Sequence, residues 1–222
     1  MTATTLHSDQ FEAMRMAMVA SQLRPSGVID TRVVAAISET PRERFVPAGM
    51  EALAYRDTTI DLGEGRRANT PLATARLLVE ARLRSDDRVL LIGAGTGYTA
   101  AIIAQIAREV VAVESTAALA AAARDNLRAF ANVSVVEGAL EHGHPSDAPY
   151  DVLVIDGAVE AVPATLYTQL VERGRVVTGL VDRGVSRLAA GARDADVIGL
   201  LPFADYDSVR LPGFAKPRSF TF

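Results

Sequence analysis

The sequence predicts an α/β fold on a mostly parallel, doubly wound sheet, and three observations carry that prediction. Apolar runs at residues 89–92, 110–113 and 150–156 show little polar alternation, as strands buried on both faces do. Segments of helical character separate these runs. The first run enters three glycines at alternate positions, Gly93-Ala94-Gly95-Thr96-Gly97-Tyr98, and then a small apolar stretch at 99–107. Strand, glycine turn and helix in that order begin a parallel crossover whose bare backbone can approach a ligand.

Composition narrows the class further. The chain has 222 residues, 49% of them apolar, and a formal charge of -4. That length and apolar content suit one domain with a sizeable core. The near-balanced charge gives no long-range pull toward nucleic acid or an anionic membrane, so neither is expected as a partner. With no cysteine in the chain, disulfides, thiolate metal sites and cysteine nucleophiles are excluded. His142 and His144 form a His-x-His without a third ligand in view, and no metal is expected. The sequence shows no signal peptide and no apolar run of about 18 residues, which makes the cytoplasm the expected location.

Taken in order, residues 1–8 read as a loose start. Residues 9–23 carry Phe11, Met14, Met18, Val19 and Gln22 at helical spacing, with Ser8 or Asp9 as cap. Arg24-Pro25-Ser26-Gly27 ends this helix. Asp30 caps a second helix at 31–39, and a helical turn is expected at 50–55. Thr70 and Pro71 supply the N-cap and first position of a helix at 72–83. The alanine-rich segment 116–130 reads as a crossover helix leading to a third strand at 133–136. After the fourth strand at 150–156 come a helix at 164–172, ended by Gly174, and a fifth strand at 175–181. Residues 185–191 and 197–203 form a hairpin joined by 192–196, giving strands six and seven with one antiparallel to the rest. The tail at 204–222 packs on the sheet edge or covers the site.

The glycine turn selects its ligand by what it lacks. A dinucleotide fingerprint needs glycine where Tyr98 stands, and a P-loop needs a lysine that the turn does not have. A strand-to-helix turn without a phosphate loop suits a smaller anion, such as an amino-acid carboxylate. The next strand ends at Glu114, with Ser115 beside it. An acid at that tip can accept hydrogen bonds from both ribose hydroxyls. A carboxylate, a ribose and no phosphate together describe S-adenosylmethionine. Gly93, Ala94, Gly95, Thr96, Gly97, Tyr98, Glu114 and Ser115 are therefore the expected cofactor residues.

In these features the chain resembles the seven-stranded S-adenosylmethionine-dependent methyltransferases. The resemblance implies a Rossmann-like sheet of seven strands with a helical N-terminal extension. The opening is more specific. Met18-Val19-Ala20-Ser21-Gln22-Leu23-Arg24, Ile29-Asp30-Thr31-Arg32-Val33, Pro41-Arg42-Glu43-Arg44-Phe45-Val46-Pro47 and Ala54-Tyr55-Arg56-Asp57 resemble, in order and spacing, the N-terminal part of protein-L-isoaspartate O-methyltransferases. The likeness runs from about residue 14 to about residue 181. It implies an active-site loop at 60–71, which in the family reads roughly Gly-His-Gly-Gln-Thr-Ile-Ser-Gln-Pro. Here the loop reads Gly63-Glu64-Gly65-Arg66-Arg67-Ala68-Asn69-Thr70-Pro71. Glu64 replaces the family's histidine, Arg67 its threonine, and Asn69 the hydroxyl residue regarded as catalytic. The resemblance also places an acid-glycine pair against the adenine, here Glu137 and Gly138 with Ala139, and small residues after the fourth strand, here Gly157 and Ala158.

The implied reaction is methylation of a carboxylate on a peptide or protein. Such an acceptor is ionised at neutral pH, its unperturbed pKa being about 4, so alignment and exclusion of water suffice without a general base. Asn69 and Asp156 are the candidate catalytic residues, with Asp156 weighed equally as a cap for the helix that follows it. Arg66 and Arg67 are candidate partners for the acceptor carboxylate by bidentate bonding, with Thr70 and Ala158 as further acceptor-side residues. Two other readings stay open. One is a methyltransferase of the same fold with a small-molecule acceptor, which the departure at Asn69 favours. The other is a protein that binds the cofactor without transferring its methyl group. The expected organisation is one domain, with a helical region and active-site loop at 1–70, a cofactor-binding core at 71–203 and a tail at 204–222.

Overall fold

The computed structural model describes residues 7–216. The expectations for residues 1–6 and 217–222 lie outside the described residues. In chain order the elements are α1 (Ser8–Met18), α2 (Thr31–Glu39), β1 (Ile60–Gly63), β2 (Arg66–Ala68), α3 (Pro71–Ala81), β3 (Arg88–Ile92), α4 (Tyr98–Ala104), β4 (Glu109–Glu114), α5 (Ala117–Asn126), β5 (Val133–Glu137), β6 (Tyr150–Val159), α6 (Ala164–Tyr167), β7 (Leu170–Asp182), β8 (Val185–Asp194) and β9 (Val197–Ala204), with short 3-10 and π turns between them.

Seven strands form one sheet in the order β5-β4-β3-β6-β7-β8-β9. The first five run parallel, and β8 pairs antiparallel with both β7 and β9, so one strand opposes the rest as the sequence predicts. The chain travels outward from β3 through β4 to β5, then returns to lay β6 on the other side of β3. That reversal makes a crevice at the carboxyl ends of β3 and β6, the usual place for a ligand in an open α/β sheet. Val89, Leu90, Leu91 and Ile92 are all fully buried. Val89 and Leu91 pack into the cluster that holds Leu77 and Leu78 of α3 and Ile102 and Ile103 of α4. Leu90 and Ile92 pack into a second cluster with Leu166, Leu211 and Phe214. Burial of such side chains stabilises each by about 1.5–3 kcal/mol and pins the register, in which Ile92 faces Ile155 and Val113. Gly93, Glu114 and Asp156 therefore leave the sheet at one level.

Several elements differ from expectation. The helix α1 is capped at His7, with Gln10 reaching back to the His7 N–H at 2.8 Å, rather than at Ser8 or Asp9. It continues into a π turn at Val19–Leu23 before Arg24–Ser26 closes it as a 3-10 turn. The loop at 60–71 contains an antiparallel hairpin, β1 with β2, whose two turn residues Glu64 and Gly65 have φ of 55° and 69°. Two positive φ values suit the twist of a tight hairpin, and glycine adopts one of them without cost. The helix expected at 164–172 is one turn long. Its extension is prevented by Gln169, whose amide bonds the His144 N–H and the His142 carbonyl, while its own carbonyl accepts from Tyr150 N–H. These contacts draw Leu170 into pairing with Tyr150, and a bulge then carries the strand to Arg175. Helix α5 stops at Asn126 rather than at residue 130, because the Asn126 side chain turns back to the Thr96 carbonyl at 2.9 Å.

Candidate active site

The crevice between the ends of β3 and β6 has two walls. The first is the glycine turn. Gly93, Gly95 and Gly97 have φ of 83°, 55° and 101°. At Gly97 a side chain would meet two obstacles, the left-handed backbone and Leu127 Cδ1 at 2.8 Å from an added Cβ. Thr96 donates to the Phe45 carbonyl at 2.5 Å, which ties the turn to the N-terminal region. Tyr98, buried, stacks edge-on with Phe45 at a centroid distance of 5.7 Å.

Glu114 stands at the end of β4 with no exposed surface. Its Oε2 accepts from Gly95 N–H at 2.7 Å, and its Oε1 accepts from Ser115 N–H at 2.8 Å. Arg66 also donates to Oε1, at 2.5 Å. This corrects the acceptor-side assignment of Arg66. The β1-β2 hairpin folds over the turn, so that the Arg66 side chain, 5% exposed, enters beside Gly93 and pairs with a buried carboxylate. Glu137 is aligned with Glu114 in the neighbouring strand, and Gly138 N–H bonds the Glu114 carbonyl at 3.0 Å. Glu137 and Ala139 are exposed, and a Cβ at Gly138 would meet open space. The expected adenine surface therefore lies at the same edge, one strand farther out.

The second wall gathers residues from five parts of the fold. Asp156, half-buried at the end of the straight part of β6, accepts hydrogen bonds from Asn69 Nδ2 at 2.8 Å, from Thr74 Oγ1 at 3.0 Å and from the Thr99 hydroxyl. Asn69, 2% exposed, takes Ser208 Oγ and Val209 N–H on its Oδ1 at 2.9 and 2.8 Å. The amide is thus oriented with its nitrogen toward Asp156. Asn69 and Asp156, separated by 87 positions in the chain, are in contact. The capping role weighed for Asp156 does not hold, since α6 has no side-chain cap.

Other acceptor-side residues lie elsewhere. Thr70 caps α3 by accepting from Ala73 N–H at 3.1 Å. Arg67 is exposed and donates to Thr59, while its residue also lines the crevice mouth. Ala158 is 1% exposed and covered: its N–H bonds the Val209 carbonyl at 2.7 Å and its carbonyl accepts from Leu211 N–H at 3.0 Å. The small residues after β6 make room for the C-terminal segment, not for an acceptor; a Cβ on Gly157 would lie 2.5 Å from Leu211 Cγ. The tail therefore packs along β6 and sends Ser208 into the crevice wall.

Sequence reasoning missed four residues: Thr74 and Thr99, which sit inside helices and donate to Asp156, and Ser208 and Arg42. Ser208 lies beyond the stretch that resembles a family, and no local pattern marks it. Arg42 sits inside a quoted motif but carries no local sign of its position. It is 2% exposed, donates from Nη2 to the Asn69 carbonyl at 2.7 Å and lies 4.5 Å over the Tyr98 ring. Together with Asn69, Tyr98, Thr99 and Asp156 it lines the crevice. The crevice thus brings together a glycine turn, a buried acid at the end of the neighbouring strand and a polar wall around Asp156.

Comparison with known proteins agrees with this geometry. The family description Protein-L-isoaspartate(D-aspartate) O-methyltransferase (PCMT) matches residues 14–197. A protein-L-isoaspartate O-methyltransferase of Methanoculleus marisnigri is 39% identical over 174 residues, covering 78% of this chain and 79% of its own. A protein-L-isoaspartate O-methyltransferase 1 of Rhodopseudomonas palustris is 39% identical over 207 residues, covering 91% and 84%. Among solved structures, a protein-L-isoaspartate O-methyltransferase superposes with a TM-score of 0.78 at 26% identity over 91% of this chain, which spans 66% of that longer one. A Plasmodium falciparum chain assigned the same activity, solved with S-adenosyl-L-homocysteine, shares the fold at a TM-score of 0.72 and 16% identity, with 88% of this chain and 96% of that one covered.

Proposed function

The chain belongs to the protein-L-isoaspartate O-methyltransferase family, and from that premise we propose that it methylates the free carboxylate of isoaspartyl residues in peptides and proteins, with S-adenosylmethionine as cofactor. The observation that carries this reading is the polar wall: a strand-end carboxylate, Asp156, locked by three hydrogen bonds beside a glycine turn and a ribose-side acid.

The residues present fit the cofactor. Glu114 Oε2 takes one hydrogen bond among the described residues, from Gly95 N–H, and an ionised carboxylate offers about four lone-pair sites. Glu114 is the residue that would hold the ribose hydroxyls, with Arg66 at its Oε1 having to yield to them. The open space at Gly138 would admit the adenine, and Glu137 would be placed to accept from its amino group. When bound, S-adenosylmethionine supplies a methyl group already activated by a positive sulfur. The chain's task is then alignment. Asn69 holds Asp156, and Ser208 and Val209 hold Asn69, so the wall facing the acceptor is fixed before substrate arrives. Arg67, at the crevice mouth, is the remaining loop cation for an incoming carboxylate. An ionised acceptor oxygen needs no base. The hairpin β1-β2, lying over the turn, shields the reacting centre from water. The reading places the protein in the cytoplasm; among the described residues no helix is long and apolar enough to cross a membrane.

The test is incubation of the protein with an isoaspartyl peptide, its normal aspartyl counterpart and methyl-labelled cofactor. Base-labile label on the isoaspartyl peptide alone supports the reading, and its absence with cofactor binding shown separately rejects it. A second reading, a different acceptor on the same scaffold, is favoured by Asn69 at the position where the resemblance implies a hydroxyl. Isoaspartyl activity that arises only in Asn69→Ser would establish it.

A further inference from the structure

Arg42 presents a buried positive charge with nothing to neutralise it. Its side chain is 2% exposed. Among the described residues no carboxylate lies within ion-pair distance of it, whereas Arg66, the other buried arginine of the crevice, is paired with Glu114. Its Nε is buried without a hydrogen-bond partner. The Asn69 carbonyl and the Tyr98 ring use one terminal nitrogen and one face of the guanidinium. An unpaired charge and an unanswered donor are both costly away from water; Arg76 also buries an unpartnered Nε, but of the two only Arg42 lines the crevice. The side chain lines the crevice together with the glycine turn.

We propose that Arg42 anchors the carboxylate of the cofactor's amino-acid end, an inference that rests on the cofactor reading above. The charge pattern selects this ligand over the acceptor. Asn69 lies between two poles: its carbonyl receives Arg42 and its side-chain amide donates to Asp156. A cation and an anion one residue apart match a zwitterion, with the carboxylate at Arg42 and the ammonium toward Asp156. An acceptor carboxylate carries only the one charge. The anchor is also mechanically joined to the turn, since Phe45, three residues on, receives the Thr96 hydroxyl.

Calorimetric titration of the whole chain with S-adenosylhomocysteine and with 5′-methylthioadenosine, the same nucleoside without an amino-acid end, tests this. For Arg42→Met the homocysteine ligand is expected to bind at least about 10-fold more weakly, equivalent to about 1.4 kcal/mol, while methylthioadenosine stays within about twofold. Arg42→Lys recovers part of the loss. Unchanged methylthioadenosine binding also reports that the variant is folded. Equal weakening of both ligands would overturn the proposal, as would unchanged binding of both with a raised KM for the peptide. If Arg42→Met does not fold, wild type decides: decarboxylated S-adenosylhomocysteine, which keeps the ammonium, must bind at least about 10-fold more weakly than the intact product. Equal binding of those two ligands removes the anchor but leaves the cofactor reading standing; binding of no nucleoside at all removes the cofactor reading itself.

Discussion

The two walls of the crevice are built in different ways. The cofactor wall is local: Gly93–Gly97 and Glu114 follow directly from β3 and β4, and each takes its place because the strand before it is buried and in register. The acceptor wall is assembled: Asn69, Thr74, Thr99, Asp156 and Ser208 come from a hairpin, two helices, a strand end and the C-terminal segment. The local wall depends on backbone conformation and so tolerates change around it. The assembled wall depends on a chain of hydrogen bonds, in which removal of one member leaves others buried and unpaired. A scaffold of this kind can keep its cofactor while its acceptor side diverges, and Arg67 and Asn69, two positions where the resemblance implies other residues, line the crevice on that second side.

The largest expected effect separates the walls. In Asp156→Ala, Asn69 Nδ2 and two hydroxyls lose their shared acceptor, and methyl transfer is expected to fall by about 100-fold or more, whereas affinity for 5′-methylthioadenosine, which lacks the amino-acid end, stays within about threefold. Parallel loss of both, read by titration alongside labelled turnover, would break the comparison. Next in size is Arg66→Leu. It leaves the fully buried Glu114 carboxylate without its cation, and loss of one member of such a pair costs about 3–5 kcal/mol; the remaining backbone donors hold the cost near about 3 kcal/mol. Thermal unfolding should show that loss, and added S-adenosylhomocysteine should recover more stability in the variant than in wild type, because ribose hydroxyls then donate to the vacated oxygen. Equal ligand-induced shifts in the two proteins would place Arg66 outside the cofactor wall.

The smallest effect lies outside both walls and calibrates them. Asp30 caps α2 by accepting from the N–H groups of Arg32 and Val33. The Arg32 side chain beside it, aided by those N–H groups, holds its carboxyl below the ordinary value of 3.8 despite partial burial. Depression on folding means the stabilisation is present above that ordinary value and is lost as pH falls through the folded one. Asp30→Ala should therefore cost about 1 kcal/mol near neutral pH, with activity unchanged, and the two proteins should converge in stability only as pH falls well below the ordinary value of 3.8. A constant difference across that range would assign the effect to packing.

The same contrast explains what was legible in the sequence. The strands β3, β4 and β6 and the glycine turn were readable because continuous apolar runs and alternate glycines are local signals. Thr70 and Asp30 were readable as caps for the same reason. The helix at 164–172 misled because local spacing does not encode Gln169, which bridges to the His142–His144 loop and turns the chain into β7. Arg66 and Arg67 read alike in the sequence, as adjacent loop arginines; a hairpin alternates its side chains, and the alternation sends Arg66 inward to Glu114. Ala158 looked like an acceptor surface because small residues admit either a ligand or another backbone, and here Leu211 fills that space. Ser208, 139 positions from Asn69, had no local mark at all.

The central claim is that the crevice at the ends of β3, β4 and β6 is a sulfonium-nucleoside site. Calorimetric titration of the folded wild-type chain with S-adenosylhomocysteine tests it most directly. One-site binding that weakens in Glu114→Ala is the predicted result; no heat and no thermal stabilisation on demonstrably folded protein would contradict it.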